Sequence, residues 1–117
     1  MKLLIVGALG GQIGAASQIA IQRGAKVQQS DSVEDALTVL RSGKGVDLIM
    51  ADIVLDLGEF LKSLKLERIS TPLVACGIGS DTEAAVQAIK AGAKEYVPLP
   101  PDAELIASVL EAVAEEE

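Results

Sequence analysis

The chain alternates apolar runs of strand length with segments of helical periodicity five times over, and no low-complexity linker separates them. Several runs are apolar throughout, which is typical of parallel strands covered on both faces. The pattern predicts an α/β fold, a (βα)5 three-layer sandwich whose parallel five-stranded sheet has the flavodoxin-like order 2-1-3-4-5. The predicted strands span Lys2 to Val6, Lys26 to Gln29, Val46 to Ala51, Leu73 to Cys76 and Glu95 to Val97.

The segments between these strands carry helix signals. Val33, Ala36, Leu37 and Leu40 recur at i, i+3, i+4 and i+7, the spacing of one apolar helix face. Ser32 precedes this segment and is a favoured N-cap residue. Three glycines are expected to follow helix ends, namely Gly24, Gly43 and Gly92.

Length and charge limit the classes of function. The chain has 117 residues, half of them apolar, which is material for a single domain over residues 1–117. Ten Lys and Arg stand against seventeen Asp and Glu, and the resulting charge of −7 has the wrong sign for tracking phosphate backbones. We therefore expect no direct contact with nucleic acid.

Scarce residue types exclude further chemistry. The chain has no His, which removes the usual zinc ligands, imidazole bases and Ser/His/Asp triads. Phe60 and Tyr96 are its two aromatic residues, too few for stacking a flavin or a base. We expect no metal, no cofactor and no enzymatic activity.

The sequence indicates a soluble cytoplasmic protein. Cys76 is the one cysteine, so it forms no internal disulfide, and we interpret it as a small core residue. The N-terminus lacks the charged, apolar and small-residue order of a signal peptide. No apolar run is long enough to cross a bilayer, so we expect no membrane contact.

A glycine-rich segment after the first predicted strand raises the question of a nucleotide site. Dinucleotide loops need the offsets G-x-G-x-x-G so that the backbone can approach a pyrophosphate. Gly7, Gly10, Gly11 and Gly14 miss those offsets by a residue. Asp31 stands where a ribose-binding acid would, which keeps a nucleotide-binding Rossmann-like domain using the Gly7–Gly14 loop open as an alternative.

Function in open α/β sheets collects at the carboxyl ends of the strands. One carboxylate at that edge is a poor Mg²⁺ site, because Mg²⁺ is usually held by one or two carboxylates together with substrate phosphate. The strand-end positions of this chain are Gly7 and Ala8, then Asp52, Gly77 and Leu99.

Three segments resemble a known family. The stretch VDLIMADIVLD resembles the third strand of response-regulator receiver domains, where an Asp closes an apolar strand and accepts a phosphoryl group. Asp52 matches that phosphoacceptor. TPLVACGIGSD and GAKEYVPLPPD are similar to the fourth and fifth strands of the family. The resemblance covers the whole chain and implies the CheY-like form of the predicted fold.

The chain departs from the receiver pattern where the family carries its chemistry. Gly7 and Ala8 stand at the positions of the acid pair. Gly77 stands at the position of the hydroxyl residue and Leu99 at that of the Lys, while Tyr96 keeps the aromatic of the switch. The resemblance therefore implies a pseudo-receiver without Mg²⁺-dependent phosphorylation. A receiver that still accepts a phosphoryl group on its single acid is the alternative.

Within the family, the segments LLIVG, GAKEY and PLPPD resemble the N-terminal domain of FlbD-type flagellar regulators, which are sigma-54-dependent transcriptional activators. This resemblance implies that the chain is the N-terminal fragment of a longer regulator with an ATPase domain and a DNA-binding domain. It also implies control by contact with a trans-acting flagellar assembly factor rather than by a kinase.

The resemblance further implies where a protein partner or a second copy would bind. The receiver output face maps to the fourth helix, the fifth strand and the fifth helix, here Thr82 to Ala91, Tyr96 and Asp102 to Ala114. Because the chain is acidic, its partner is expected to present a basic rim. The candidate contact residues are Ala85, Ala88, Ile89 and Tyr96.

Overall fold

A computed structural model describes residues 2–7, 11, 13–43, 45–78, 82–99 and 103–115. Strands and helices alternate along the chain, as the periodicity predicts. The elements are β1 (Lys2–Val6), α1 (Ile13–Gln22), β2 (Lys26–Ser30), α2 (Val33–Arg41), β3 (Leu48–Asp52), α3 (Leu57–Leu66), β4 (Leu73–Ile78), α4 (Thr82–Ala91), β5 (Glu95–Leu99) and α5 (Ala103–Glu115).

The five strands form one parallel sheet in the order β2-β1-β3-β4-β5, which confirms the predicted fold class. Four strands, β2 to β5, end later than predicted, and β3 also begins two residues later. As a result Asp52 is the last residue of β3, where it pairs with Cys76. Gly77 lies inside β4, and Leu99 is the last residue of β5.

Two apolar layers cover the sheet. Side chains of α1 and α5 pack on one face, where Ala16, Ala20 and Ile106 are fully or almost fully buried. Side chains of α2, α3 and α4 pack on the other face, around the buried Phe60. Because both faces are covered, every residue of β3 is buried, including Asp52.

The helix boundaries follow the predicted caps. Ser32 is the N-cap of α2, and its hydroxyl accepts a hydrogen bond from the Asp35 N–H at 3.1 Å. α1 and α4 end just before Gly24 and Gly92, as expected. After the last residue of α3, Arg68 takes the left-handed conformation that glycine usually provides, with φ 58°. No helix among the described residues is long and apolar enough to span a bilayer.

This arrangement defines two edges of the sheet. In a parallel sheet with antiparallel covering helices, the strand carboxyl ends and the helix amino ends lie at one edge. Gly7, Asp52 and the N-cap of α3 therefore lie at the carboxyl edge. Helix ends and strand beginnings lie at the opposite, amino edge.

Candidate functional site

Asp52 is buried at the carboxyl edge, with 4% of its surface exposed. Its Oδ1 accepts a hydrogen bond from the Val54 N–H at 3.1 Å, and its backbone oxygen accepts one from the Leu55 N–H at 3.1 Å. The carboxylate therefore organises the turn that leads from β3 into α3. Asp52 is therefore not a solvated acid at a strand end, because it is buried like the rest of β3.

The backbone of Gly7 packs closely against Asp52. A Cβ at this position would lie 2.9 Å from the Asp52 Cβ and 3.3 Å from Leu55 Cδ1. The φ of Gly7 is 89°, a conformation that other residues adopt only with strain. Its N–H donates to the Ser30 oxygen at 2.8 Å. The first acid-pair position thus holds closely packed backbone, whereas the second, Ala8, lies outside the described residues.

Gly77 lies beneath two side chains of the same edge. A Cβ at this position would meet Ile53 Cδ1, and it would lie 2.8 Å from Ile53 Cγ1 and 2.5 Å from the Tyr96 hydroxyl. The space that a hydroxyl residue would need is therefore already filled. Ile53 carries no sequence signal for this role, because its apolar side chain follows an apolar strand.

Tyr96 points its polar end inward. The ring is half-buried against the α2, α3 and α4 layer, and the hydroxyl is buried next to Gly77. The missing side chain at position 77 leaves room for the hydroxyl, and the role of Tyr96 as a partner contact stays a prediction. Leu99 pairs with Ile78 through its backbone, and its side chain lies outside what the structure describes.

Cys76 is fully buried beside this edge and carries no disulfide, as expected for a core residue. Burial, and secondly the charge of Asp52, raise the pKa of its thiol to about 12. The thiolate is the reactive form, so Cys76 is chemically inert at neutral pH. Among the described residues, no group of three or more acids and cysteines is placed to hold a metal ion.

Comparison with known proteins places this geometry in a family. No family model matches the chain. It is 50% identical over all 117 residues to the transcriptional regulatory protein FlbD of Caulobacter vibrioides, and spans 26% of the length of that relative. The chain is a response-regulator receiver domain. Its likeness to FlbD lies in the N-terminal part of that protein, which confirms the family resemblance of the sequence.

Solved structures share the fold of this receiver domain. The receiver domain of NtrX from Brucella abortus superposes with a TM-score of 0.85 at 22% identity, over 98% of this chain and 99% of that one. NtrX from the same organism in complex with ADP gives 0.86 at 23% identity, over 98% of this chain and 26% of that one. A two-component response regulator from Clostridium difficile gives 0.84 at 19% identity, over 98% and 96%.

Helix α4 of this receiver domain does not expose all the side chains that the sequence analysis names as candidate contacts. Ala88 is buried, with 6% of its surface exposed, and packs in the core cluster of α2, α3 and α4. Ala88 therefore packs mainly in the core, because α4 uses its small side chains to approach the sheet, and its role as a partner contact stays a prediction. Ala85 is half-buried, whereas Val86 and Ile89 are 43% and 46% exposed. The face of α4 that a partner can reach carries these larger side chains.

Replacing Gly7 tests whether the acid-pair position has lost its room for a side chain. Gly11 is the matched control, because its φ is 86° and a Cβ there meets nothing within 4 Å. We expect Gly11→Ala to lower the free energy of unfolding by about 1 kcal/mol through backbone strain alone. Gly7→Ala should cost about 3 kcal/mol, because close packing against Asp52 adds to the strain. Equal losses in urea titrations of the two variants would contradict the close approach.

Replacing Gly77 tests the inward position of Tyr96. The chain has one Tyr and no Trp, so its intrinsic fluorescence reports this residue alone. We expect Gly77→Ala to displace the Tyr96 hydroxyl and to increase quenching by acrylamide, at a stability cost of about 1–3 kcal/mol. Gly58→Ala is the control, because a Cβ there makes only an ordinary contact, 3.6 Å from Asp56 Oδ1. Unchanged quenching in a folded Gly77→Ala protein would show that Tyr96 does not fill this space.

Proposed function

We propose that this receiver domain is the regulatory domain of a sigma-54-dependent flagellar transcriptional activator and works by protein contact, without Mg²⁺-dependent phosphorylation of Asp52. The whole chain is 50% identical to a part of FlbD, and this identity supports the proposed class of regulator. Structures of NtrX with ADP and with ATP, of which this chain covers 26% and 27%, support a larger parent protein. That parent would carry an ATPase domain and a DNA-binding domain and would act in the cytoplasm.

The packing around Asp52 is the observation that carries this proposal. Phosphoryl transfer to a carboxylate relies on positioning and on neutralising the charge of the three equatorial phosphoryl oxygens. In this chain Gly7 brings backbone against the acid, and Ile53 and Tyr96 fill the space above Gly77. No side chain that could hold Mg²⁺ or bind a phosphoryl oxygen stands at either glycine.

The switch position supports the same proposal. In the receiver pattern, a hydroxyl residue contacts the phosphoryl oxygen and an aromatic residue takes the switch position. Here Gly77 has no hydroxyl to move, and the Tyr96 hydroxyl already lies against it. This packing favours the inward position of Tyr96, and in this proposal the signal reaches the output face through a bound protein.

Replacing Asp52 separates control by contact from control by phosphorylation. In the regulator that carries this domain, we expect Asp52→Ala to keep transcriptional output within about twofold of the parent, provided that the variant is folded. Loss of the Val54 hydrogen bond at 3.1 Å should lower the free energy of unfolding by about 1–2 kcal/mol. This differs from the gain in stability that an unpartnered buried acid would give.

A promoter-reporter assay with protein levels checked by immunoblot measures the output. Loss of output from a well-folded Asp52→Ala protein would support the alternative, a receiver that accepts a phosphoryl group on this acid. Asp52→Asn provides a matched variant, because its side-chain oxygen can still accept the Val54 N–H. It should behave like the parent in both stability and output.

The exposed side of α4 provides the contact in this proposal. We expect Ile89→Arg to weaken binding of the regulatory partner, or formation of a homodimer, by at least about tenfold. Ile21→Arg is the matched control, since Ile21 is 58% exposed on α1, which covers the other face of the sheet. Both variants should melt near the parent temperature. Normal binding by Ile89→Arg together with loss in Ile21→Arg would place the contact on the α1 side.

A further inference from the structure

Charge is segregated between the two edges of the sheet. Four of the five helices carry an acidic residue in the first turn, and α1 carries none. No Lys or Arg occurs in these first turns or among the described residues of the strand-to-helix connections, which are 7, 11, 31–32 and 53–56. Acidic side chains at helix amino ends also interact favourably with the helix dipoles. The charged side chains that the structure describes in these segments of the carboxyl edge are consequently all negative.

Basic residues lie at the amino edge instead. Arg41, Lys65 and Lys90 occupy the last turns of α2, α3 and α4, and Lys26 begins β2. Acids also occur there, and Glu67 forms a two-point hydrogen-bonded ion pair with Arg41, at 2.6 and 2.8 Å. The amino edge is therefore mixed in sign, which makes the uniform charge of the opposite edge a distinguishing feature of this chain.

An apolar groove opens beside the negative edge, between the β3–α3 connection and α4. Its volume is about 320 Å³. Ile53, Leu55 and Leu57 line one side, and Ala84 and Ala88 line the other. The walls of the groove are mostly apolar, and Asp56 and Gln87 are its polar lining residues.

Acidic and exposed apolar residues flank this groove. Asp56 lines it directly, and Glu59 and Glu83 lie in the first turns of the two helices that form its sides. Val54, within the β3–α3 connection, is 83% exposed, the highest value among the exposed large hydrophobic residues. An exposed apolar side chain beside a groove and an acidic rim is typical of a protein contact.

We propose that this groove docks a basic amphipathic helix of a partner protein, with apolar side chains in the groove and Lys or Arg against the acidic rim. The inference rests on the proposed function, control by protein contact, and adds a surface on the α3 side of α4. Charge complementarity decides the occupant. Apolar anchors supply affinity, and the opposite charges speed association and set its orientation.

Other occupants fit the groove less well. Nucleic acid would meet a uniformly negative edge. A second copy would have to present its amino edge, whose mixed charges include the Arg41–Glu67 pair, and such head-to-tail contacts form open chains rather than closed dimers. A partner with a basic apolar helix satisfies both the sign of the rim and the apolar walls.

The experiment measures fluorescence anisotropy of a labelled basic amphipathic peptide with the full 117-residue chain. The peptide has about four helical turns, with Leu on one face and Lys and Arg on the other. A scrambled peptide of the same composition keeps the charge and loses the apolar face. Neither Mg²⁺ nor a phosphoryl donor is present, so the result is independent of the Asp52→Ala test of the proposed function.

Two glycines provide a matched pair of variants. Gly58 and Gly14 are each the second residue of a helix at the carboxyl edge, and neither has a positive φ. Gly58 lines the groove, whereas a Cβ at Gly14 meets nothing within 4 Å. Gly58→Lys and Gly14→Lys thus add the same charge to the same edge, and only the first places it in the groove. Val54→Lys provides a third variant at a side chain that supports no core packing.

We expect the amphipathic peptide to bind more tightly than the scrambled one, with a dissociation constant that rises with salt. Gly58→Lys and Val54→Lys should each weaken binding at least about tenfold, and Gly14→Lys less than about threefold. Equal binding of the two peptides, no binding, or equal losses at Gly58 and Gly14 would overturn the proposal. Self-association of the chain at low salt that Gly58→Lys abolishes would instead identify a second copy as the occupant and overturn the partner helix.

Discussion

The close approach of backbone to side chain at the carboxyl edge is the contact on which the remaining structure of this receiver domain depends. Gly7 can bring its backbone against Asp52 because it has no Cβ and tolerates a φ of 89°. This contact fills the space at the first of the two acid-pair positions of the receiver pattern. Asp52 remains as a buried acceptor for the Val54 N–H, so the acid now holds the turn into α3. Asp52, which stands at the position of the receiver phosphoacceptor, thus has a structural role.

The second glycine of this edge, Gly77, explains how the fold is kept without the hydroxyl residue of the receiver pattern. A receiver without its hydroxyl residue would have a void at position 77, and voids destabilise packed cores. Ile53 and the Tyr96 hydroxyl fill that void in this chain. The same packing holds the aromatic switch residue inward. In the function that we propose, control comes from protein contact at two surfaces, which are the exposed side of α4 and the acidic groove beside it.

Periodicity and caps predicted the fold because they act locally. Alternating apolar runs predicted the strand order, and Ser32 marked the start of α2. The end of α3 carries no such signal, because Arg68 takes the left-handed conformation that glycine usually provides. The inward face of α4 was also missed. Hydrophobicity alone would bury Ile89, but close packing of α4 admits the smaller Ala88, and this depends on residues distant in sequence.

The proposal that Asp52 works without Mg²⁺-dependent phosphorylation is tested by amide spectra recorded with Mg²⁺ and beryllofluoride, which mimics a phosphoryl group. Two-dimensional ¹⁵N–¹H spectra of the chain are compared with those of a receiver domain that retains its acid pair, hydroxyl residue and Lys. We expect millimolar Mg²⁺ with beryllofluoride to leave the amide resonances around Asp52 and Gly77 unshifted in this chain. The amide resonances of the control receiver should shift throughout its site. Saturable shifts clustered at Asp52, Gly77 and Tyr96 would contradict it.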